Sequence, residues 1–309
     1  MSLRRAVAVL TLVLRAALAV SISTTISGCF QIDLGKILKA AKKKKQKKTK
    51  TSTSSGDDDD DDDAEPATEL GEAEYPPGTK KPVADLDWYA DKLEPHRYKV
   101  EYAMSREMQD QVLGAHKEFS KKVGFTPMGE GRFRWFIPPG CEPDMGCVFG
   151  AMSDANRDAL APVVERFRLR QKSANLDAGQ LASLVVTFAQ SIHYEEPDDQ
   201  PFGILPPASV IAEKRGDCDS KSLLTHLILR ELGIDSVMLS SKAHRHAMLG
   251  IAIPATGHTF KFGGRQYAYT ELTAKNSPIG HINPELLQPD DWAIVPTRWP
   301  SSSWSGGPH

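Results

Sequence analysis

Cysteine is scarce in this chain, and the usual sequence signatures of metal, nucleotide and nucleic-acid sites are missing. The four cysteines stand at positions 29, 141, 147 and 218. Cys218, His244 and His246 lack a fourth partner at zinc-ligand spacing, and there is no glycine-rich phosphate loop. The only basic block lies in a charged segment near the N-terminus, and no internal repeat is visible. These absences argue against a zinc enzyme, a nucleotide-binding protein and a nucleic-acid-binding protein.

The net charge gives no indication of a partner. It is only −2, because a lysine block at 42–48 and an aspartate block at 57–63 nearly cancel. Both blocks have almost no large apolar residues, so they cannot bury enough surface to fold. We therefore predict that residues 29–84 are a disordered charged tether. Composition is otherwise ordinary for a soluble globular protein, and the length allows one large domain or two small ones.

The N-terminus has the pattern of an export signal. Arg4, Arg5 and Arg15 precede a short run of apolar and small residues that ends in Ile26-Ser27-Gly28-Cys29. This tetrapeptide resembles a bacterial lipobox, which implies that residues 1–28 are a lipoprotein signal peptide and that Cys29 carries lipid. A membrane-spanning helix over 6–26 is the alternative, and Arg15 in its middle disfavours it. Phe30 rather than Asp after the cysteine implies an outer-membrane anchor that faces the periplasm of the cell envelope.

Export places the remaining cysteines in an oxidising compartment. Cys141 and Cys147 flank a turn-forming loop, which predicts a small disulfide between them. Two unpaired buried thiols are the alternative. Cys218 is then left over, and an odd cysteine in an exported protein is a candidate reactive thiol.

The sequence after the tether has the pattern of a globular α+β fold. Helices are predicted at about 105–123, 154–172 and 177–192, with Pro162 interrupting the second and Asp177 capping the third. Short strands are predicted at 132–137, 235–240, 246–253, 258–262, 267–272 and 292–295. This order favours an antiparallel sheet. We assign 85–150 to an N-terminal helical extension of mixed structure and 151–300 to the main domain.

The most informative segment is Gly216-Asp217-Cys218-Asp219, which precedes a strongly apolar helical stripe. Four leucines and an isoleucine recur at 223, 224, 227, 228 and 232, and Gly233 suits a helix C-terminus. Cys218 is therefore predicted at or just before a helix N-terminus. Exposed N–H groups and the helix dipole favour a thiolate there. An inert buried cysteine is the alternative.

A base and an orienting acid are available on the strands that follow. His246 begins the apolar run at 246–251, and Glu271 lies in the predicted strand at 267–272. A thiol that attacks acyl carbons needs such a base, and the base needs an acceptor that orients it. His244 and His258 are alternative bases. A solvated strand residue is the alternative role for Glu271.

The order of these residues resembles the transglutaminase-like branch of the papain-like cysteine enzymes. The resemblance covers roughly residues 175 to 275. It rests on a cysteine at a helix start, a histidine on a strand and an acid on the next substantial strand; the matching segments are 216–219, 231–234, 246–248 and 270–273.

The resemblance implies a papain/transglutaminase-like core in which the cysteine helix packs on an antiparallel sheet. It implies Cys218 as nucleophile, His246 as base and Glu271 as the acid that orients the imidazole and stabilises its charged form. Relatives more often have Asp in the third role. The resemblance also implies that Gln190 lies near the oxyanion, together with the backbone N–H of Cys218.

The function implied is that of a cell-envelope cysteine hydrolase or acyltransferase acting on peptide or isopeptide amide bonds through a thioacyl-enzyme. Its partners would be a peptide or protein substrate in the envelope and, through the lipid on Cys29, the membrane. Two alternatives stay open: a catalytically inactive transglutaminase-like binding module, and a calcium-dependent protease of the same family.

Two carboxylates oppose this chemistry. Asp217 and Asp219 flank Cys218, and negative charge beside a thiol disfavours its thiolate. Either these side chains point away, with Asp219 capping the helix, or a cation neutralises them. Calcium would be the expected cation for an exported protein. No other cofactor is predicted.

Overall fold

The structure is a computed structural model that describes residues 66–71, 79, 84–129, 132–136, 145–295 and 297. The predicted signal peptide, Cys29, the charged blocks and Cys141 lie outside these residues, so what the sequence predicts for them stays a prediction. In the described part of the chain, no helix is both long and apolar enough to cross a bilayer.

The described residues form a mixed α+β fold, as the sequence predicts. Its five α-helices are α1 (Arg106–Lys122), α2 (Gly146–Ala174), α3 (Ala178–Ser191), α4 (Pro207–Glu213) and α5 (Cys218–Glu231). The strands are β1 (Thr68–Glu69), β2 (Ala84–Tyr89), β3 (Arg97–Tyr102), β4 (Thr126–Gly129), β5 (Arg132–Arg134), β6 (His193–Tyr194), β7 (Arg215–Gly216), β8 (Ser236–Ser241), β9 (His246–Ile251), β10 (Thr259–Phe262), β11 (Arg265–Thr270) and β12 (Ala293–Val295).

The largest sheet carries the histidine and acid side of the candidate site. Its strand order is β10-β11-β9-β8-β12, and every neighbouring pair is antiparallel. Helix α5 packs against β8 and β9. Gly250 in β9 allows the Phe260 ring to lie directly over the strand, since a Cβ there would approach a ring carbon of Phe260 to 2.4 Å. The start of α5 lies against the central strand β9, since Cys218 packs on Ala247.

Smaller sheets surround this centre. Strands β2 and β3 form an antiparallel hairpin to which β1 adds in parallel, and β4 pairs with β5. The predicted disordered tether at 29–84 is therefore wrong over residues 66–71, because β1 pairs with β3 and Leu70 is buried in the main core. Strand β6 pairs in parallel with β7. That two-stranded pair leads directly into α5, because β7 ends at Gly216.

Helix caps follow the sequence closely. Ser105 caps α1 by accepting a hydrogen bond from the Met108 N–H at 3.1 Å. Asp177 caps α3 and forms a capping box with Gln180, in which each side chain accepts from the other residue's N–H. The bonds to the Met108 and Gln180 N–H groups satisfy donors that the first turn of a helix leaves unpaired.

Helix α2 is longer than the predicted helix at 154–172 and is not interrupted at Pro162. A proline inside a helix removes one hydrogen bond and costs about 3 kcal/mol. Here the apolar face of α2 is buried over most of its length, at Val148, Phe149, Met152, Ala159, Leu160, Val163, Val164 and Phe167. Tertiary packing of that face outweighs the local cost, and α2 runs across the predicted boundary between residues 150 and 151.

One main apolar core joins the parts of the chain that the sequence assigned to an extension and a main domain. It contains Leu86 and Trp88 of β2 together with Phe188 of α3 and Leu223 of α5. Trp88 contacts both Tyr98 of β3 and the Phe188 ring. The β2–β3 hairpin is thus packed on the same core that supports α5.

Candidate active site

Helix α5 begins at Cys218, as the sequence predicts, and its cap is Asp217. The Asp217 carboxylate accepts a hydrogen bond from the Ser220 N–H at 2.9 Å. The predicted alternative of an Asp219 cap is therefore wrong, because the side chain one residue before the first helical residue reaches the unpaired N–H groups. At the other end, Gly233 has φ +80°, and the Ile234 N–H bonds the Leu229 carbonyl at 2.9 Å.

Cys218 is fully buried at the start of α5, facing the sheet. It packs with Ala247 of β9 and with Tyr194 of β6 in a small separate cluster. Ala247 directly follows His246 in β9, so the helix start lies beside the beginning of the histidine-bearing strand. The Cys218 Sγ is 4.0 Å from an Asp219 carboxylate oxygen.

His246 and Glu271 form a short, mostly buried pair. The distance from His246 Nε2 to Glu271 Oε2 is 2.7 Å, and the two side chains are 11% and 13% exposed. The strands that carry this pair, β9 and β11, are neighbours. Glu271 lies one residue beyond the end of β11 rather than inside the predicted strand at 267–272, because pairing of β11 with β9 ends at Thr270.

The second carboxylate oxygen of Glu271 is held by three donors. Glu271 Oε1 accepts hydrogen bonds from the Leu272 N–H at 2.9 Å, the Thr273 N–H at 2.7 Å and the Thr273 hydroxyl at 2.7 Å. Burial alone would raise the pKa of Glu271. The bonds and charge of His246 and the Thr273 bonds more than offset it and lower the pKa from 4.5 to about 2. Glu271 is therefore a carboxylate at neutral pH.

The two alternative histidines lie elsewhere. His244 is in the turn before β9, where its Nε2 is 3.0 Å from the Asp291 carboxylate and its ring stacks on Trp292. His258 is exposed in the loop before β10, the edge strand of the sheet. Among the three candidates, His246 is the one that the structure places with both an acid and a neighbour of Cys218.

Gln190 does not have the role expected from the resemblance. Its buried amide nitrogen donates to the backbone carbonyls of Glu271 at 2.8 Å and Ser277 at 2.9 Å. Both N–H groups are thus used, and the remaining amide oxygen cannot donate a hydrogen bond to an oxyanion. The sequence prediction of a Gln190 oxyanion donor is wrong for this reason. Gln190 instead fixes the loop that carries Glu271.

The carboxylates beside Cys218 do not both point away from it. One ligand atom from each of Asp217, Cys218 and Asp219 lies within 4.8 Å of the others. Burial, with a contribution from the Asp219 charge, raises the pKa of Asp217. Burial also raises the pKa of Asp219, against the opposing charge of His246. Protonation is therefore a way to relieve the repulsion that the sequence identifies.

This group is a poor fit to calcium. Ca²⁺ takes about six to eight oxygen ligands. The described residues offer two carboxylates and a sulfur here, and one Asp217 oxygen already accepts the Ser220 N–H. We therefore derive no calcium step from this cluster.

Lys221 is a buried cation below the site that sequence reasoning missed. Its ammonium group lies 3.4 Å from the Leu272 carbonyl, and burial lowers its pKa from 10.5 to about 8, against the opposing charge of Glu271. The sequence signal was present, because Cys218, Lys221, Ser222 and Thr225 share one helix face by their spacing. Sequence reasoning assigned the buried stripe to leucines alone.

A cavity of about 480 Å³ adjoins the start of α5. Asp217 and Asp219 form part of its wall, and the rings of Phe149, Phe202 and Trp292 form much of the rest. Its volume is in the range of small-ligand pockets. Its lining combines apolar side chains with charged ones, which are Asp217, Asp219, Lys242, Asp290 and Asp291.

Neither cysteine in the described residues is free. Cys147 and Cys218 are both disulfide-bonded. The expectation that Cys218 is the odd unpaired thiol is therefore wrong for this state of the protein. The predicted bridge between Cys141 and Cys147 stays a prediction, since Cys141 lies outside the described residues.

Comparisons with protein-family models, with curated proteins and with solved structures gave no match.

Proposed function

We propose that this protein is a cysteine hydrolase or acyltransferase with a papain/transglutaminase-like core, acting on amide bonds of peptides or proteins. The buried His246–Glu271 pair carries the proposal. It lies at the start of β9, whose next residue, Ala247, packs against Cys218 at the N-terminus of α5. A nucleophile at the start of α5, a base at the start of β9 and an orienting acid just after β11 are the parts that thiol catalysis needs.

The hydrogen-bond pattern assigns the proton on the imidazole. Because Glu271 is a carboxylate, it accepts from Nε2–H of His246, which leaves Nδ1 with a lone pair. Nδ1 is then the atom that takes the proton of Cys218. Glu271 keeps this tautomer and the ring orientation throughout the cycle.

The reaction then proceeds in two acyl-transfer steps. Sγ of Cys218 adds to the amide carbonyl carbon, the C–N bond breaks, and the leaving amine takes the proton held on Nδ1. A thioester remains on Cys218. Water or a second amine then attacks that carbonyl, gives its proton to Nδ1, and the thiolate leaves with the proton returned to it. Water gives hydrolysis, and an amine gives transfer.

This chemistry requires a reduced Cys218. The residue is disulfide-bonded in this structure, and a disulfide sulfur has no thiolate with which to attack. We therefore expect activity only after thiol reductant is added.

A non-catalytic binding module of the same fold is the second candidate. The full burial and bonded state of Cys218 favour it, because both are typical of a structural cysteine. In that role the cavity beside α5 would hold a ligand without turnover.

Alkylation of the native protein distinguishes the two functions. After mild reduction, native protein is treated with iodoacetamide and the modified cysteines are mapped by mass spectrometry. The enzyme proposal expects rapid labelling of Cys218 that falls at least about tenfold in His246→Ala, because the base is lost. His244→Ala is the matched control and should label like wild type, since the acid beside His244 is Asp291 and the His246–Glu271 pair is left in place. Labelling of Cys218 only after denaturation would contradict the enzyme proposal and support the binding module.

Export and lipid attachment at Cys29 belong to the same proposal. They place the enzyme in the cell envelope with a peptide or protein substrate. Incorporation of labelled palmitate that is lost in Cys29→Ser would support the anchor, and equal incorporation in both proteins would contradict it.

A further inference from the structure

Tyr194 is fixed beside the segment that enters α5. Strand β6 pairs in parallel with β7, with Tyr194 opposite Gly216, and the Glu195 N–H bonds the Gly216 carbonyl at 3.3 Å. Gly216 is two residues before Cys218. The backbone of Tyr194 is therefore held in a constant relation to the start of the cysteine helix.

The side chain of Tyr194 reaches the nucleophile. Its ring packs in the cluster formed by Cys218 and Ala247. The hydroxyl oxygen is buried and has no partner in full hydrogen-bonding geometry among the described residues. Its nearest polar neighbour is Glu196, whose charge and weak side-chain hydrogen bond both raise the pKa of Tyr194. Such a weakly bonded buried hydroxyl is unfavourable, and what sets Tyr194 apart is that its ring lies against Cys218.

That hydroxyl is a donor under ordinary conditions. Burial raises the pKa of Tyr194, and the charges of Glu196, Asp217 and Asp219 raise it further. The phenol therefore keeps its proton at neutral pH and can donate. The residue expected to do this, Gln190, has both amide N–H groups committed to carbonyls.

We propose that the Tyr194 hydroxyl is the side-chain hydrogen-bond donor to the oxyanion formed when Cys218 attacks a carbonyl. The inference rests on the proposed thiol chemistry. As the Sγ–C bond forms, the carbonyl electron pair moves onto oxygen, and Tyr194 donates to that oxygen while keeping its own proton. The backbone N–H groups at the start of α5 donate alongside it. When the carbonyl re-forms, the leaving group takes its proton from His246 and the Tyr194 hydroxyl is released.

Two reactions of the same sulfur test this role. Acylation by p-nitrophenyl acetate passes through an oxyanion, whereas alkylation by iodoacetamide does not. In reduced native protein, Tyr194→Phe should slow formation of the Cys218 thioester by about 10²-fold, the typical effect of losing one oxyanion donor. It should leave Cys218 alkylation within about twofold of wild type, because the thiolate itself is unchanged. Both products are assigned to Cys218 by peptide mass spectrometry.

Tyr98→Phe is the matched control. Tyr98 also has a buried hydroxyl without a hydrogen bond, but it lies on β3 and stacks on Trp88. This variant should keep both rates. Equal loss of acylation and alkylation in Tyr194→Phe would overturn the oxyanion role, because it would show an effect on the thiol, and unchanged acylation would overturn it as well. Wild-type protein that forms no thioester at all would refute the proposed function, and this inference with it.

Discussion

Glu271→Gln should nearly abolish acylation while leaving the fold in place, because of how the two carboxylate oxygens are used. One oxygen faces three donors, from the Leu272 N–H, the Thr273 N–H and the Thr273 hydroxyl, and the other faces His246 Nε2. The glutamine amide has a single oxygen, and that oxygen must face the three donors of Leu272 and Thr273. The amide NH₂ must then face Nε2, which becomes an acceptor.

The consequence for His246 is a change of tautomer. If Nε2 accepts from the amide, the ring proton moves to Nδ1, and Nδ1 can no longer take the proton of Cys218. In serine proteases the corresponding Asp→Asn change lowers kcat by about 10⁴. We expect the rate of thioester formation from p-nitrophenyl acetate to fall by about 10³- to 10⁴-fold.

The same side chain gives a pH dependence of stability. The pKa of Glu271 is about 2 in the folded protein against 4.5 in the unfolded chain. Because the pKa is lower in the folded protein, the ionised carboxylate stabilises the fold above pH 4.5. This stabilisation, about 3 kcal/mol, is lost as the pH falls from 4.5 towards 2. Glutamine does not titrate, so the variant should lack this part of the acid destabilisation in urea unfolding at pH 7 and pH 3.

Thr273→Val is the milder control for both measurements. It removes one of the three donors to Glu271 and leaves the carboxylate and its contact with His246. Its acylation rate should stay within about tenfold of wild type. A Glu271→Gln protein that forms the thioester within about threefold of the wild-type rate would refute the tautomer argument.

Two further substitutions test the surroundings of the site. Asp217→Asn keeps a good helix cap and removes a carboxyl whose pKa is raised by burial. The wild-type protein should therefore lose stability as the pH rises above 3.8, and the variant should lose less. Equal changes in the free energy of unfolding between pH 5 and pH 8, measured by urea unfolding, would contradict this. Gln190→Leu leaves the Glu271 and Ser277 carbonyls without their donor. It should lower the free energy of unfolding by about 2 to 4 kcal/mol and slow acylation. Unchanged unfolding with full acylation would show that Gln190 does not position the Glu271 loop.

The parts of the fold that local sequence determines could be predicted. Asp177 and Ser105 are caps because a short polar side chain before an apolar helical stripe satisfies the first N–H groups. Cys218 at the start of α5 follows from the stripe that begins at Leu223 and from Gly233. His246 at the start of β9 follows from the apolar run after it. Each of these depends on residues of the same helix or strand or directly beside it.

The rest depends on contacts between distant segments. The carbonyls that accept from the Gln190 amide lie in a loop more than eighty residues later in the chain. No local sequence pattern contains that information. The pairing of β6 with β7 brings Tyr194 to Cys218, and strands of two residues are too short to show a period. Pro162 lies inside α2 because burial of a long apolar face outweighs a local penalty.

The proposed function depends on Cys218 acting as an acyl-accepting nucleophile with His246 as its base. The most direct measurement is the intact mass and peptide map of reduced native protein after brief exposure to p-nitrophenyl acetate. We predict one acetyl group in thioester linkage on Cys218 in wild type and in His244→Ala, and none on Cys218 in His246→Ala. Wild-type protein whose Cys218 stays unmodified while native, or a His246→Ala protein acylated there at the wild-type rate, would contradict the claim.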